Sequence, residues 1–391
     1  MNEILSVGLI LLVALAAGHL VQLLRLPEVT GYLLVGVLIG PAVFDVITRE
    51  NLEALELLSE VALGLILFSI GTIFDARTFR RIGGLVATVT TAEAYGACVL
   101  VAGVMLILGM PPAVALLLGV VAMETAPATT LMVVREYHAR GPMTDALLAL
   151  LALNNVIVLL TFGVVAAILT FAVGDGASLY TSMHTLLWST LASVALGLLV
   201  GLGIDLWSGR VSEAGESTIL AVGAVLLTVG AARTLGLSPL LATLAVGATI
   251  ANTSGPTEPL VAELRRADPP LYAAFFVLAG AELPVSLLPQ IGLAGTAYVL
   301  MRSVGKVGGA FMALRAYEAE AALRRHFGWC LLSSSSLAIG LTIQIRNQFP
   351  DFGEQVAAVV LAAVIVFEVA GPVLARTALV RAGETDIRPG A

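Results

Sequence analysis

Apolar runs of membrane-crossing length follow one another along almost the whole chain, and they limit what it can become. A bilayer core about 30 Å thick takes about 20 apolar residues of helix to cross. In hydrocarbon every backbone N–H and C=O must be paired within the protein, which leaves helices or closed barrels. The runs are continuous and show no period-two alternation, aromatics make up only 6%, and Gly and Ala are abundant. That pattern reads as closely packed helices and not as a barrel. Hydrophobic residues reach 59% and charged ones only 12%, against about 45–50% and about 25% in soluble domains. The fold class is therefore an all-α polytopic membrane protein. Thirteen runs are expected as helices, near 4–24, 29–47, 55–74, 84–109, 112–135, 143–173, 183–206, 215–235, 237–253, 269–287, 289–314, 326–347 and 354–380. The first has neither a basic leader nor a small-residue cleavage site and reads as a retained span.

Positive charge sets the expected orientation. With the N-terminus outside, fifteen of the twenty Lys and Arg residues fall on the cytoplasmic side, and only Arg49, Arg233 and Arg346 fall outside. Cytoplasmic loops carry the excess of basic residues, so the C-terminus is expected in the cytoplasm. The expected location is a bacterial inner (cytoplasmic) membrane.

Two spans are interrupted. Met123-Glu124-Thr125-Ala126-Pro127-Ala128-Thr129-Thr130 puts a proline and hydroxyls in the middle of one. Ser333-Ser334-Ser335-Ser336 does the same in another. Proline removes a backbone donor and clashes with the preceding turn, and serines compete for backbone bonds. Each interrupted span lies between two long ones, giving three-helix units at 84–173 and 289–380 that run in opposite senses across the membrane. Paired interrupted helices in inverted units point to a transporter's midplane site.

Polar groups at depth are few. The acids are Glu93, Glu124 and Glu368, the bases are Arg302 and Lys306, and the amides are Asn154 and Asn155; all lie in the two units. Intramembrane charge marks function by default. Glu124 stands at the first interruption, where Thr125, Thr129, Ser334 and Ser335 can join it and the asparagines around an ion. Arg302 and Lys306 share a helix face by their i, i+4 spacing. Arg302 requires a counter-charge, and Lys306 is expected to snorkel toward the interface. Glu368 precedes Gly371-Pro372 and reads either as a charge partner in an ion pair or as a transport residue. Glu93 ranks last of the acids, and His19 and the cysteines Cys98 and Cys330 read as packing residues. No metal-ligand cluster, haem motif or phosphate loop is present, and no basic stripe suggests nucleic acid. The serine run has no histidine and aspartate placed to form a triad, so neither an enzyme nor a cofactor is expected.

Several stretches resemble the membrane domain of the monovalent cation:proton antiporters of the Kef and sodium/proton types. They are Leu26 to Gly36 with Gly40-Pro41, Gly64 to Gly71 with Asp75, Leu237 to Leu240 through Ala251-Asn252, Phe275 to Gly280, and Arg302 to Lys306. The resemblance implies a thirteen-helix fold and a homodimer embedded in lipid. It implies a core of about 84–173 and 289–380 that moves like an elevator against a dimerisation scaffold of about 1–83 and 174–288. It also implies monovalent cations and protons as substrates. In such antiporters an aspartate stands at the position of Asn155 and binds cation and proton in turn, whereas an amide cannot carry the proton. Three readings follow. Glu124 has become the titrating carboxylate of a sodium or potassium antiporter. Alternatively, coupling is lost and the chain is a uniporter, or an anion or solute transporter that uses Arg302 and Lys306. In the third reading, it is a non-transporting sensor or subunit.

Overall fold

The structure, a computed structural model, describes residues 2–72, 76–173, 179–208, 214–253, 258–285, 287, 292–334 and 336–385. Regular structure among them is helical throughout. The first helices are α1 (Glu3–Leu23), α2 (Glu28–Ile39) and α3 (Arg49–Gly71), followed by α4 (Ala76–Ile107). The first interrupted span is α5 (Pro112–Ala122) and α6 (Pro127–Glu136), and α7 (Pro142–Val173) follows it. Next come α8 (Leu179–Ser208), α9 (Ala214–Thr234), α10 (Pro239–Asn252) and α11 (Glu258–Glu282). The last group is α12 (Gly292–Ala316), α13 (Ala321–His326), a 3-10 turn over Phe327–Leu331, α14 (Ser336–Gln348) and α15 (Pro350–Ala382).

Every expected run coincides with a helix or a broken pair, but the count of full spans differs. Among the described residues seven helices, with α5–α6 taken as one, are long and apolar enough to cross a bilayer by length and composition. Three more apolar segments, Glu28–Ile39, Thr218–Thr234 and Pro239–Asn252, are shorter. The run expected from 29 to 47 stops at Ile39, where Gly40 takes an extended conformation and the chain turns. Pro269 and Pro270 lie inside α11 and do not open it as expected. Asp75 and Ser335 lie outside the described residues.

Local chemistry explains several ends. Thr48 and Asn51 form a reciprocal capping box that starts α3. Ser238 caps α10 ahead of Pro239. Gly383, with φ of 75°, closes α15 in the left-handed region that favours glycine. Glu384 then accepts bonds from Met143 N and Thr144 N at the start of α7 (both 2.7 Å), tying the two helix ends together.

α4 packs along α12; a β-carbon at Gly305 or Gly309 of α12 would overlap the α4 backbone at Ala97 or Ala92. Small residues let helix backbones approach in this way where no hydrophobic force separates protein from lipid. The close fit brings Glu93 of α4 against Lys306 of α12. α10 packs on α8 and α3, and α11 on α2 and α3. Large apolar side chains such as Leu12, Leu191 and Leu199 stand exposed on α1 and α8, as lipid-solvated helices allow.

Candidate functional site

The helix breaks meet. α5 ends at Ala122 and α6 starts at Pro127, a position where a missing N–H costs nothing because it would be unpaired in any helix. Between them Met123, Glu124, Thr125 and Ala126 are non-helical, and Leu332, Ser333 and Ser334 are non-helical before α14. The two segments touch through the Ala126 N–H, which donates to the Ser333 carbonyl at 3.1 Å. A β-carbon on Gly371 of α15 would overlap Ser333, so glycine is what lets α15 close over this crossing.

Breaking two helices leaves carbonyls unpaired in a low-dielectric interior, where each costs several kcal/mol. The two bases satisfy them. Arg302 donates to the carbonyls of Leu332 (2.8 Å), Glu124 (2.7 Å) and Ser333 (3.1 Å), and its guanidinium stacks over Phe367 at 4.1 Å. Lys306 donates to the Met123 carbonyl (2.8 Å), to Thr125 Oγ1 (2.7 Å) and to Glu93 Oε2 (2.6 Å). Cations at helix carboxyl ends also suit the backbone dipole. Lys306 is fully buried and does not snorkel: the unpaired Met123 carbonyl and the Glu93 carboxylate hold it inside.

Asn154 completes this knot. Its Nδ2 donates to Glu93 Oε1 (2.8 Å) and to the Met123 carbonyl (2.9 Å), while its Oδ1 accepts from Thr125 N (3.0 Å). Both ends of the amide are bonded to protein groups, so it braces the break. Glu93, ranked last from sequence, is a principal member of the knot. Glu124 is fully buried, accepts from Ser334 Oγ at 3.0 Å, and lies 3.9 Å from the Arg302 guanidinium. Thr125 also donates to the Leu331 carbonyl (3.3 Å).

A cavity of about 860 Å³ reaches the edge of the crossing. Its lining combines the more exposed Glu53, Glu56 and Glu60 of α3 and Glu282 of α11 with the buried Thr129, Asn155 and Glu368, which mark its deep end. Arg233 pairs with Glu60 (2.5 Å) and Glu56 (3.4 Å), and Arg49 also lines the wall. The acids on α3 were not singled out from sequence, although their three- and four-residue spacing sets them on one helix face. Of the seven polar residues singled out at depth, Asn155 and Glu368 line this cavity; Glu93, Glu124, Asn154, Arg302 and Lys306 do not.

The deep end is polar and incompletely paired. Asn155 is 5% exposed, and its Oδ1 has no hydrogen-bond partner. Glu368 is 6% exposed, and one of its oxygens accepts a long 3.5 Å bond from Thr129 Oγ1. Among the described residues Glu368 has no ion pair, whereas Glu93 pairs with Lys306 and Glu124 neighbours Arg302. Three buried acids stand with two buried bases, which leaves one negative charge in surplus at the cavity floor. Isolated charge in such surroundings is costly until a proton or a cation neutralises it.

The fold agrees with the comparisons. A sodium proton antiporter, MjNhaP1 from Methanocaldococcus jannaschii, solved at pH 8, superposes with a TM-score of 0.73 at 16% identity, covering 98% of each chain. The structure from an electron-microscopy map of the same antiporter gives a TM-score of 0.79 at 17% identity, with 100% of each chain covered. At such identity the likeness concerns the fold. No curated protein matches the chain significantly in sequence. The family described as "Sodium/hydrogen exchanger, transmembrane" matches residues 8–380. The chain, an integral membrane protein and a transporter by class, belongs to the sodium/hydrogen exchanger family.

Proposed function

We propose that the chain exchanges a monovalent cation, sodium or potassium, for protons across the membrane. One observation carries the reading: a cavity lined by several acids also takes in a buried carboxylate, Glu368, that has no ion pair among the described residues, and Asn155, whose buried amide oxygen has no partner. Both features favour a cation ligand. Hard monovalent cations take neutral and anionic oxygens, and one carboxylate, one amide oxygen and one hydroxyl are available there.

The motion we propose is elevator-like. The core comprises about 84–173 and 289–380, and the scaffold about 1–83 and 174–288. The cavity supports this division, because its lining draws on α3, α10 and α11 of the proposed scaffold and on α6, α7, α14 and α15 of the proposed core. Sliding one group past the other would expose the floor to the opposite face while the paired charges travel inside the core. A homodimer built on the scaffold, with the N-terminus outside and the C-terminus in the cytoplasm of a bacterial inner membrane, completes the proposal.

Asn155 favours a second reading, a uniporter without proton coupling, because the amide at that position cannot titrate. An anion carrier is disfavoured: Arg302 and Lys306 are bonded to carbonyls and carboxylates and do not reach the cavity. Flux in proteoliposomes with an internal pH dye decides between them. Sodium or potassium pulses are expected to move protons against the cation gradient. Cation uptake that leaves the dye unchanged at every pH supports the uniporter, and the absence of any flux supports a non-transporting role.

A further inference from the structure

If the chain is an antiporter, some group must hold the proton, and no carboxylate stands at Asn155. We propose that Glu368 of α15 is the coupling carboxylate, binding proton and cation in turn, with Asn155 Oδ1 and Thr129 Oγ1 as neutral ligands. The inference rests on the antiport reading above.

A coupling group must be reachable from water, must lie at depth, and must not be neutralised permanently by the protein. Glu93 fails because Lys306 (2.6 Å) and Asn154 (2.8 Å) occupy its two oxygens away from the cavity. Glu124 fails because Ser334 (3.0 Å) and Arg302 hold it inside the crossing, also away from the cavity. Glu53, Glu56, Glu60 and Glu282 are reachable but are not deeply buried, and Arg233 already engages Glu56 and Glu60. Glu368 meets all three conditions: it lines the deep end, it is 6% exposed, and among the described residues it has no ion pair. Its charged neighbours are Glu124 and Arg302.

The neighbouring oxygens fit a small cation. Asn155 presents a buried carbonyl oxygen without a partner. Thr129 donates its hydroxyl proton to Glu368, which leaves the lone pairs of that oxygen for a cation. In the exchange, the O–H bond of the Glu368 acid breaks and its proton passes to water in the cavity, while a carboxylate oxygen takes up the cation. The reverse happens on the far side. The site is neutral when either proton or cation is bound, and carries a bare buried charge only when empty. Because the empty form is the costly one, the loaded forms are those that cross, which is what couples the two fluxes.

The test uses the full chain in proteoliposomes with an internal pH dye. Wild type, Glu368→Gln, Glu368→Asp and the double variant Glu368→Gln/Asn155→Asp are compared for sodium- and potassium-driven proton flux. Glu368→Gln is expected to fall to the level of empty vesicles. Glu368→Asp is expected to keep exchange with its rate-versus-pH profile displaced. The double variant is expected to regain exchange, because a carboxylate returns to the same cavity. A Glu368→Gln protein that exchanges with the wild-type pH profile overturns the assignment and leaves the antiport reading standing. A silent wild type overturns both. Should Glu368→Gln not fold, Glu368→Asp decides, since an unmoved pH profile in that variant overturns the assignment.

Discussion

Asn154 and Asn155 are neighbours in sequence and opposites in environment. Asn154 uses its donor and its acceptor within the knot that holds the broken helices, beside a closed ion pair. Asn155 lines the cavity and keeps a buried amide oxygen without a partner, and Glu368, which lines the same cavity, has no ion pair among the described residues. The contrast separates two uses of buried polarity. In the knot, charges are paired and backbone groups satisfied, so the polar atoms are structural. On the floor the pairing is left incomplete, and the spare lone pairs are what a proton or cation can engage.

The largest effect should come from unbalancing the knot. Lys306→Met leaves the Glu93 carboxylate without its counter-charge and removes one of two donors to the Met123 carbonyl, and breaking a buried pair costs about 3–5 kcal/mol. Thermal unfolding in detergent is expected to show that loss, and Glu93→Leu added to Lys306→Met should recover much of it. Glu368→Gln removes the surplus charge and should leave the unfolding midpoint level or higher. A Glu368→Gln protein as unstable as Lys306→Met breaks the comparison.

The asparagines supply the next test. Asn154→Asp loses two donated bonds and sets a carboxylate against Glu93 and the Met123 carbonyl, at about 1–3 kcal/mol for each stranded group. Asn155→Asp should be tolerated and should change the pH profile of exchange by adding a second titrating group. Equal stability losses in the two variants would show that the floor holds its polar atoms as firmly as the knot does. The smallest contrast lies in the serines. Ser334→Ala removes a hydrogen bond to the Glu124 carboxylate, worth about 1.5–3 kcal/mol, whereas Ser333 Oγ has no partner and Ser333→Ala should cost close to nothing. Denaturation midpoints of the two variants measure the difference.

Much of this arrangement is legible in the sequence. The apolar runs locate the helices, and Pro127 and the serine run locate both breaks, because each disturbs helical hydrogen bonding where the run itself gives no reason to stop. The confinement of the five deep charges singled out from sequence to two units marks where the broken helices meet. The partner of each charge is not legible. The i, i+4 spacing of Arg302 and Lys306 puts them on one face, but only the close α4–α12 packing sends Lys306 to Glu93 while Arg302 reaches the crossing. The divergence of the asparagines is readable in principle, since adjacent helical residues point about 100° apart and cannot share one surface. Sequence favours Glu124 and the folded chain favours Glu368 for a related reason. Depth in the membrane can be estimated from a run of residues, whereas access to a cavity depends on which helices stand apart.

The most direct measurement is proton release on cation binding. Purified protein in weakly buffered detergent is mixed with sodium or potassium chloride, with choline chloride as the control, and a pH indicator reports the result. Wild type is expected to release a single proton per chain, and Glu368→Gln none. Undiminished release from Glu368→Gln, or no release from wild type at any pH, would contradict the claim that the unpaired carboxylate on the cavity floor exchanges proton for cation.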